Sequence, residues 1–207
     1  NEIKYLQELS HRSVDGILLA TPNILPEKYA LDSGFYQKMP IILIDRGLNR
    51  RDNGRLIVKE YEGAYQAVSL FIENGHTKIG MLKETTGYYQ LEERFNGYRH
   101  ALKDHGLPFN GKFVEHGELT VQGGYTASKK LLKHKDITAI FCGNDAMAIG
   151  CYQAIDELGK KIPEDISVIG FDGLKLSEYM IPQLTTVQQP SFDIGFYAAR
   201  FLIDTIE

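Results

Sequence analysis

Five apolar runs of strand length, separated by stretches with apolar residues at helical spacing, constrain this chain more than any other feature. The runs are SVDGILLA, MPIILIDR, KIGMLKE, ITAIFCG and ISVIGFD, at residues 13–20, 39–46, 78–84, 137–143 and 166–172. They are largely apolar on both faces, as strands are when a sheet is covered on two sides. Strands and helices in regular alternation predict parallel sheets flanked by helices, which is an α/β fold.

The stretches between these runs also end as helices end. Asn74-Gly75, His105-Gly106 and Leu158-Gly159 place a glycine where a helix C-terminus favours a left-handed residue. GRLIVKE (54–60) and GKFVEHG (111–117) are weaker strand candidates. A break between alternating sets near GRLIVKEYEG suggests two lobes.

Composition excludes several classes of partner for this segment. The formal net charge is -4 and the pI is about 5.9, so the basic surface that DNA or an anionic membrane requires is absent from this sequence. No apolar run approaches the roughly 20 residues that span a bilayer. Two cysteines, Cys142 and Cys151, form no disulfide framework or zinc spacing and fit a reduced compartment. The first residues, NEIKYLQELS, resemble the end of an amphipathic helix and not a secretory signal.

No catalytic or metal-binding motif stands out. The sequence contains no GxSxG, HExxH or GxxxxGK[ST] motif and no GxGxxG after a strand. The six histidines show no ligand-like pairing. We therefore expect a protein that is not an enzyme and that carries no cofactor or metal.

Polar side chains stand at the carboxyl ends of three of the core runs. They are Asp45, Asn144 with Asp145, and Asp172. In parallel sheets, ligands bind beyond the carboxyl ends of the strands, so these residues are binding candidates. Asp172, between Gly170 and Gly173, has two readings: a cap for the next element or an acceptor for a ligand.

Seven segments together resemble the effector-binding domain of LacI/GalR-family bacterial transcriptional regulators. They are VDGILLATP, PIILIDRG, ENGHTKIGML, ERFNGYRHAL, AIFCGNDAMAIG, IPEDISVIGFDG and PQLTTVQQPSFDIGFYAA, in this order. The resemblance implies a periplasmic-binding-protein-like type I fold with two lobes, each a parallel sheet flanked by helices. The N-terminal lobe would comprise residues 1–59 and 190–207 and be incomplete, and the C-terminal lobe residues 60–189. Chain crossings would lie near residues 58–62 and 186–190.

The resemblance assigns ligand contacts to Asp172, Arg94 and Asn144. Asp172 would accept hydrogen bonds from the effector, and Arg94, in ERFNGY, would grip a hydroxyl, ring oxygen or carboxylate while pairing with Asp172. The alternative for Arg94 is a salt bridge with Glu92 or Glu93. Asn144 begins the NDxMAxG helix, so both a ligand contact and a helix cap remain open.

Four further positions are predicted contacts with open alternatives. Asp45 would reach the ligand from the other lobe, or pair with Arg46 or a turn. Gln189 would touch the ligand or serve the hinge. Tyr89 and Phe171 offer rings for sugar stacking, and core packing is the alternative, particularly for Phe171.

The resemblance also bears on the effector and on assembly. Leu119 replaces a large aromatic that many members carry in the segment GELTVQGGY, which argues against a flat purine. A homodimer is implied. Its surface would include the apolar residues Tyr152, Ile155, Leu158, Leu176, Tyr179 and Met180, for which simple core packing is the alternative.

The function implied is that of a cytoplasmic sensor in which a small sugar or sugar derivative closes two lobes. DNA would be held by a headpiece that this segment does not contain. The alternatives are an extracytoplasmic sugar-binding protein of a transporter and, less favoured, an enzyme. A phosphoprotein co-regulator acting on the closing helices is a further variant.

Overall fold

The computed structural model describes residues 2–12, 14–20, 39–44, 55–56, 58–85 and 89–206. The chain divides into two compact units. Unit 1 comprises Asn1–Val58 and Pro190–Glu207, and unit 2 comprises Lys59–Gln189. Each unit contains a wholly parallel sheet, which confirms the predicted α/β architecture.

Unit 2 is built on a five-stranded sheet with the order β5-β4-β6-β7-β8. Its strands are β4 (Ile79–Glu84), β5 (Val114–Gly117), β6 (Ala139–Cys142), β7 (Ser167–Asp172) and β8 (Thr185–Gln188). The sequence predicted β4, β6 and β7 to within two residues at each end. It did not predict β8, an edge strand of four residues whose side chains are exposed or half-buried.

Helices cover both faces of this sheet. They are α2 (Glu60–Glu73), α3 (Tyr89–Asp104), α4 (Val121–Leu131) and α5 (Asp145–Asp156). Alternate residues of β6 serve opposite faces, because successive side chains of a strand point to opposite sides. Ala139 and Phe141 join the core under α2 and α3, whereas Ile140 and Cys142 join the core under α4 and α5.

The predicted helix ends are confirmed by the backbone. Gly75, Gly106 and Gly159 have φ values of 87°, 73° and 66°, in the left-handed region that glycine adopts without steric cost. Gly75 and Gly106 lie two residues, and Gly159 three residues, after the last residue of a helix of unit 2, so the local sequence already indicates where these helices end.

Unit 1 contains a three-stranded sheet in the order β1-β2-β3. Its strands are β1 (Ile17–Ala20), β2 (Ile41–Ile44) and β3 (Arg55–Leu56), and its helices are α1 (Glu2–His11) and α6 (Ser191–Ile206). The buried core collects apolar side chains from α1, from both long strands and from a residue two positions before β2: Leu6, Ile17, Met39, Ile41 and Leu43. Among the described helices, none is both long enough and apolar enough to cross a bilayer.

The proposed dimer residues separate into two groups. Ile155 is fully buried, and Tyr152 and Met180 pack partly buried against the same core, as the alternative reading held. Leu158, Leu176 and Tyr179 are exposed apolar side chains.

Candidate functional site

Asp172 ends β7 in a backbone conformation that few residues adopt. Its φ is 110°, and the next residue, Gly173, also has a positive φ, of 71°. A positive φ is uncommon outside glycine, although Asp and Asn tolerate it better than other residues. Strained backbone of this kind concentrates at functional sites, so this acid is a candidate on geometry alone.

The carboxylate of Asp172 is held through one of its two oxygens. Oδ1 accepts hydrogen bonds from Arg94 Nη2 (3.1 Å) and from Gln189 Nε2 (2.9 Å). Among the described residues, no side chain or backbone group donates to Oδ2. The side chain retains 27% of its exposure. One acceptor oxygen is therefore fixed in place while the other is available to a ligand.

Arg94 connects three parts of unit 2. Its Nε donates to Glu60 Oε2 (2.6 Å) and its Nη1 to the carbonyl oxygen of Gly143 (2.5 Å), in addition to the bond with Asp172. Its Cζ lies 3.8 Å from the centre of the Phe171 ring. The predicted pairing with Asp172 is present. The rival pairings are not found among the described residues, where Glu92 pairs with Lys83 and Glu93 accepts a hydrogen bond from Asn96.

Glu60, the first residue of α2, is the member that sequence reasoning did not identify. It is 2% exposed, and its second oxygen, Oε1, is buried without a hydrogen-bond partner among the described residues. The sequence offered one weak signal, an acid that closes the strand candidate GRLIVKE and opens a helix. Nothing local indicated a partner 34 residues away.

Asn144 caps α5. Its Oδ1 accepts from the backbone N–H of Met147 (2.8 Å), as an N-cap side chain does. The carbonyl oxygen of the preceding residue, Gly143, accepts a hydrogen bond from Arg94, so Asn144 directly follows a residue that contacts Arg94. The cap is shown, whereas a ligand contact through the amide nitrogen stays a prediction.

Asp145 joins β8 and the turn after β7 to the start of α5. Its Oδ1 accepts from Thr186 Oγ1 (2.6 Å) and its Oδ2 from the backbone N–H of Leu174 (2.7 Å). The side chain is buried, and desolvation raises its pKa. Asp145 therefore positions the chain around Asp172 and adds negative charge nearby.

Burial raises the pKa of Asp172 to about 6. The charge of Arg94 opposes this shift, while Asp145 and Glu60 add to it by repulsion. Desolvation disfavours the charged form of a carboxyl group. A group with this pKa is mostly ionised at neutral pH and changes its protonation under mildly acidic conditions.

The remaining predicted residues are placed as follows. Gln189 also donates its backbone N–H to the carbonyl oxygen of Asp172 (3.2 Å), so it fixes that residue through two bonds. Phe171 is 1% exposed and lies under the Arg94 guanidinium, which makes it a support for Arg94 and leaves no free ring face for sugar stacking. Tyr89, at the start of α3, is exposed. Leu119 packs against the core, and Asp45 lies outside the described residues.

A surface depression of about 530 Å³ lies at the other end of α3. Its walls include Arg99, His100, Lys103 and Phe109. None of the residues around Asp172 contributes to it. Because the strained backbone, the buried charges and the available oxygen all occur at Asp172, we place the candidate site there.

Comparison with known proteins identifies the class. Residues 68–207 match the model of the periplasmic binding protein-like domain family. Two curated relatives are each named HTH-type transcriptional repressor PurR. The one from Vibrio vulnificus is 34% identical over 205 residues, and the one from Photorhabdus laumondii is 35% identical over 204 residues. The alignments cover 98% of this chain and 61% and 60% of those relatives, so the chain spans about three fifths of their length.

Solved structures narrow the class further. A LacI family transcriptional regulator from Enterococcus faecium with bound ribose superposes with a TM-score of 0.90 at 31% identity, over 99% of this chain and 75% of that one. A sugar-binding LacI family regulator from Escherichia coli complexed with phosphate gives a TM-score of 0.89 at 28% identity, over 100% and 74%. The chain therefore belongs to the periplasmic-binding-protein-like family, as an effector-binding domain of the LacI/GalR type.

Proposed function

We propose that this chain senses a small sugar or sugar derivative for a DNA-binding transcriptional regulator. The observation that carries the proposal is the fixed carboxylate of Asp172, which has one oxygen bonded to Arg94 and Gln189 and the other available. The regulator would be a cytoplasmic homodimer that holds DNA through a headpiece. The solved relative with bound ribose and the curated repressors support both halves of the proposal.

The chemistry of the cluster suits a ligand rich in hydroxyl groups. Asp172 Oδ2 can accept a hydrogen bond from one hydroxyl, and a charged acceptor makes such a bond roughly twice as strong as a neutral one. An N–H of Arg94 that is not used within the protein can donate to a hydroxyl or ring oxygen. The amide nitrogen of Asn144 is a further donor. Asp45 is proposed as an additional carboxylate contact.

Binding must also change the state of the regulator. A ligand shifts a conformational equilibrium only if it prefers one of the arrangements. We propose that the effector favours one arrangement of the two units, and that this preference alters the affinity for DNA. The coupling is reciprocal, so DNA must change the affinity for the effector by the same factor.

A thermal-shift screen of the full-length regulator tests the ligand assignment. The panel contains pentoses, hexoses, their phosphates and purines, and each hit is titrated by calorimetry. Asp172→Asn keeps a residue that tolerates positive φ but removes the charge, so we expect at least a tenfold loss of affinity. Glu164→Gln, which neutralises an exposed acid of unit 2, is the matched control and should bind as the parent does.

Two results would contradict this proposal. One is unchanged affinity in Asp172→Asn, which would remove the assignment of that residue. The other is a panel without any hit, which would remove the sugar assignment. The regulatory half is checked separately by measuring operator binding with and without the hit. An upstream secretory signal or lipobox in the gene would favour the transporter alternative, and an upstream helix-turn-helix would favour the regulator.

A further inference from the structure

Glu60 places a second carboxylate, which is buried, against the guanidinium of Arg94. Its side chain is 2% exposed, and its Oε2 accepts from Arg94 Nε at 2.6 Å. Asp172 approaches the same guanidinium through Nη2 at 3.1 Å. Arg94 is itself 6% exposed, so its pairing with Glu60 is shielded from solvent, and its pairing with Asp172, which is 27% exposed, is partly shielded. Shielded charges interact more strongly than charges in water.

The cluster carries more negative than positive charge. Glu60 and Asp172 contact Arg94, and Asp145 lies close enough for its charge to act on Asp172. Among the described residues, no second cation pairs with any of these three acids. Within this described cluster a single guanidinium therefore neutralises only part of the carboxylate charge, and the cluster carries net negative charge when its acids are ionised.

The hydrogen bonds of Arg94 limit what it can offer to an anion. A guanidinium has five N–H donors, and three of them go to Glu60, Gly143 and Asp172. Because Nε is bonded to Glu60, the Nε/Nη2 edge that could grip a carboxylate or phosphate with two parallel bonds is closed. The Phe171 ring beneath Cζ further restricts rotation of the group. What remains is one N–H on each Nη, and these can donate to hydroxyl or ring oxygens.

We infer that Glu60 is a positioning and charge-selecting residue that restricts this site to uncharged hydroxyl-rich effectors and excludes their phosphorylated or carboxylated forms. The inference rests on the proposed function, since it takes Asp172 and Arg94 as effector contacts. An anionic effector would meet net negative charge and an arginine already committed to two acids. Like charges brought together in a poorly solvated site oppose binding.

The test compares neutral sugars with their phosphate esters on the full-length protein. D-Ribose and D-ribose 5-phosphate, D-glucose and D-glucose 6-phosphate, and any neutral hit with its ester are titrated by calorimetry at pH 7.5. We expect the best neutral sugar to bind at least 100-fold more tightly than its ester. Inorganic phosphate, titrated by thermal shift, should not stabilise the parent protein.

Glu60→Gln isolates the role of the charge. It keeps an oxygen that can accept from Arg94 and removes the negative charge, so the preference for the neutral sugar over its ester should fall at least tenfold. Glu62→Gln is the matched control, because Glu62 is an exposed acid in the same first turn of α2 and its loss should leave the ratio unchanged. A residue that only stabilised the fold would move both affinities together and leave their ratio intact.

The outcomes separate this inference from the proposed function. A parent protein that binds only phosphorylated or carboxylated sugars would overturn the charge selection while leaving sugar sensing in place. An unchanged ratio in folded Glu60→Gln would likewise remove the role of Glu60. If Glu60→Gln does not fold, the comparison of neutral and phosphorylated sugars on the parent protein still decides whether the site excludes anionic sugars. A parent that binds no sugar of either kind overturns both the proposed function and this inference.

Discussion

The backbone and the surroundings of Asp172 lower the stability of the folded protein, although they hold its carboxylate where a ligand can bind. Its φ of 110° and its pKa of about 6 both describe a residue in a conformation and an environment that it does not prefer. A single unfavourable φ costs on the order of 1–3 kcal/mol. The surrounding bonds from Arg94 and Gln189 keep the carboxylate in place despite that cost.

We predict that Asp172→Asn raises the stability of the ligand-free protein at neutral pH. The folded-state pKa of about 6 exceeds the ordinary value of 3.8, so the folded protein binds the proton more tightly than the unfolded chain. The stability tied to this proton is complete below pH 3.8 and is lost as the pH rises through 6. Denaturant unfolding should show no advantage for the variant near pH 4 and one on the order of 1–3 kcal/mol at pH 7.

The measurement compares the free energy of unfolding of Asp172→Asn with that of the parent at each pH, because other acids titrate in both proteins. Glu164→Gln serves again as the control, because it removes the charge of an exposed acid of unit 2. A variant that is less stable at pH 7, or an advantage that does not change with pH, would contradict the assigned pKa.

Two glycines set the distance between the helices α4 and α5. A methyl group on Gly124 would overlap the carbonyl oxygen of Met147, and one on Gly150 would overlap the carbonyl oxygen of Val121. The two helix backbones therefore touch without intervening side chains. This contact fixes the start of α5. Gly143, whose carbonyl oxygen accepts a hydrogen bond from Arg94, directly precedes Asn144, the N-cap of α5.

We predict that Gly150→Ala destabilises the protein by about 1–3 kcal/mol, because backbone atoms must move to admit the methyl group. Gly195→Ala is the matched control, since a methyl group there meets no described atom within 4 Å. In a helix interior this control should be neutral or gain about 0.5–1 kcal/mol. Equilibrium unfolding measures both. Equal effects of the two substitutions would show that α4 and α5 are not in close contact.

An exposed apolar group in unit 2 bears on the whole molecule and its assembly. Leu176, Tyr179 and Ile181 are 56%, 69% and 95% exposed, and they follow one another closely after β7. Exposed apolar groups of this kind often mark interaction surfaces. Ile155, predicted for the same surface, belongs instead to the core, so the proposed dimer surface is reduced to the exposed residues.

We predict that Tyr179→Lys weakens the homodimer of the full-length regulator at least tenfold in its dissociation constant. A lysine in place of an apolar side chain at a buried interface loses contact area and introduces a charge that must be desolvated. Sedimentation velocity across a dilution series measures the change. Leu70→Lys, which replaces an exposed apolar residue of α2, is the control. A parent protein that is monomeric, or equal effects of both changes, would remove this surface from the proposal.

Most helices and strands of this chain, and the polar groups at their ends, follow from the amino-acid sequence. Apolar runs with period two or three to four residues, glycines at helix ends, and acids or amides just after strands are local features, and local sequence encodes them directly. The sequence did not predict strand β8, because a short, partly exposed edge strand has little apolar pattern. The resemblance added the pairing of Arg94 with Asp172, which the structure contains.

Which side chains contact one another depends on the tertiary packing and does not follow from the local sequence. Glu60 and Arg94 are 34 residues apart, and they meet because α2 and α3 pack together on one face of the sheet. Gln189 reaches Asp172 because β8 lies beside β7 with Asp172 in register with Gln188. Phe171 supports Arg94 because its strand is covered on that side. Periodicity specifies which face of an element is buried, but strand order and register specify its neighbours, and these depend on the packing of the whole unit.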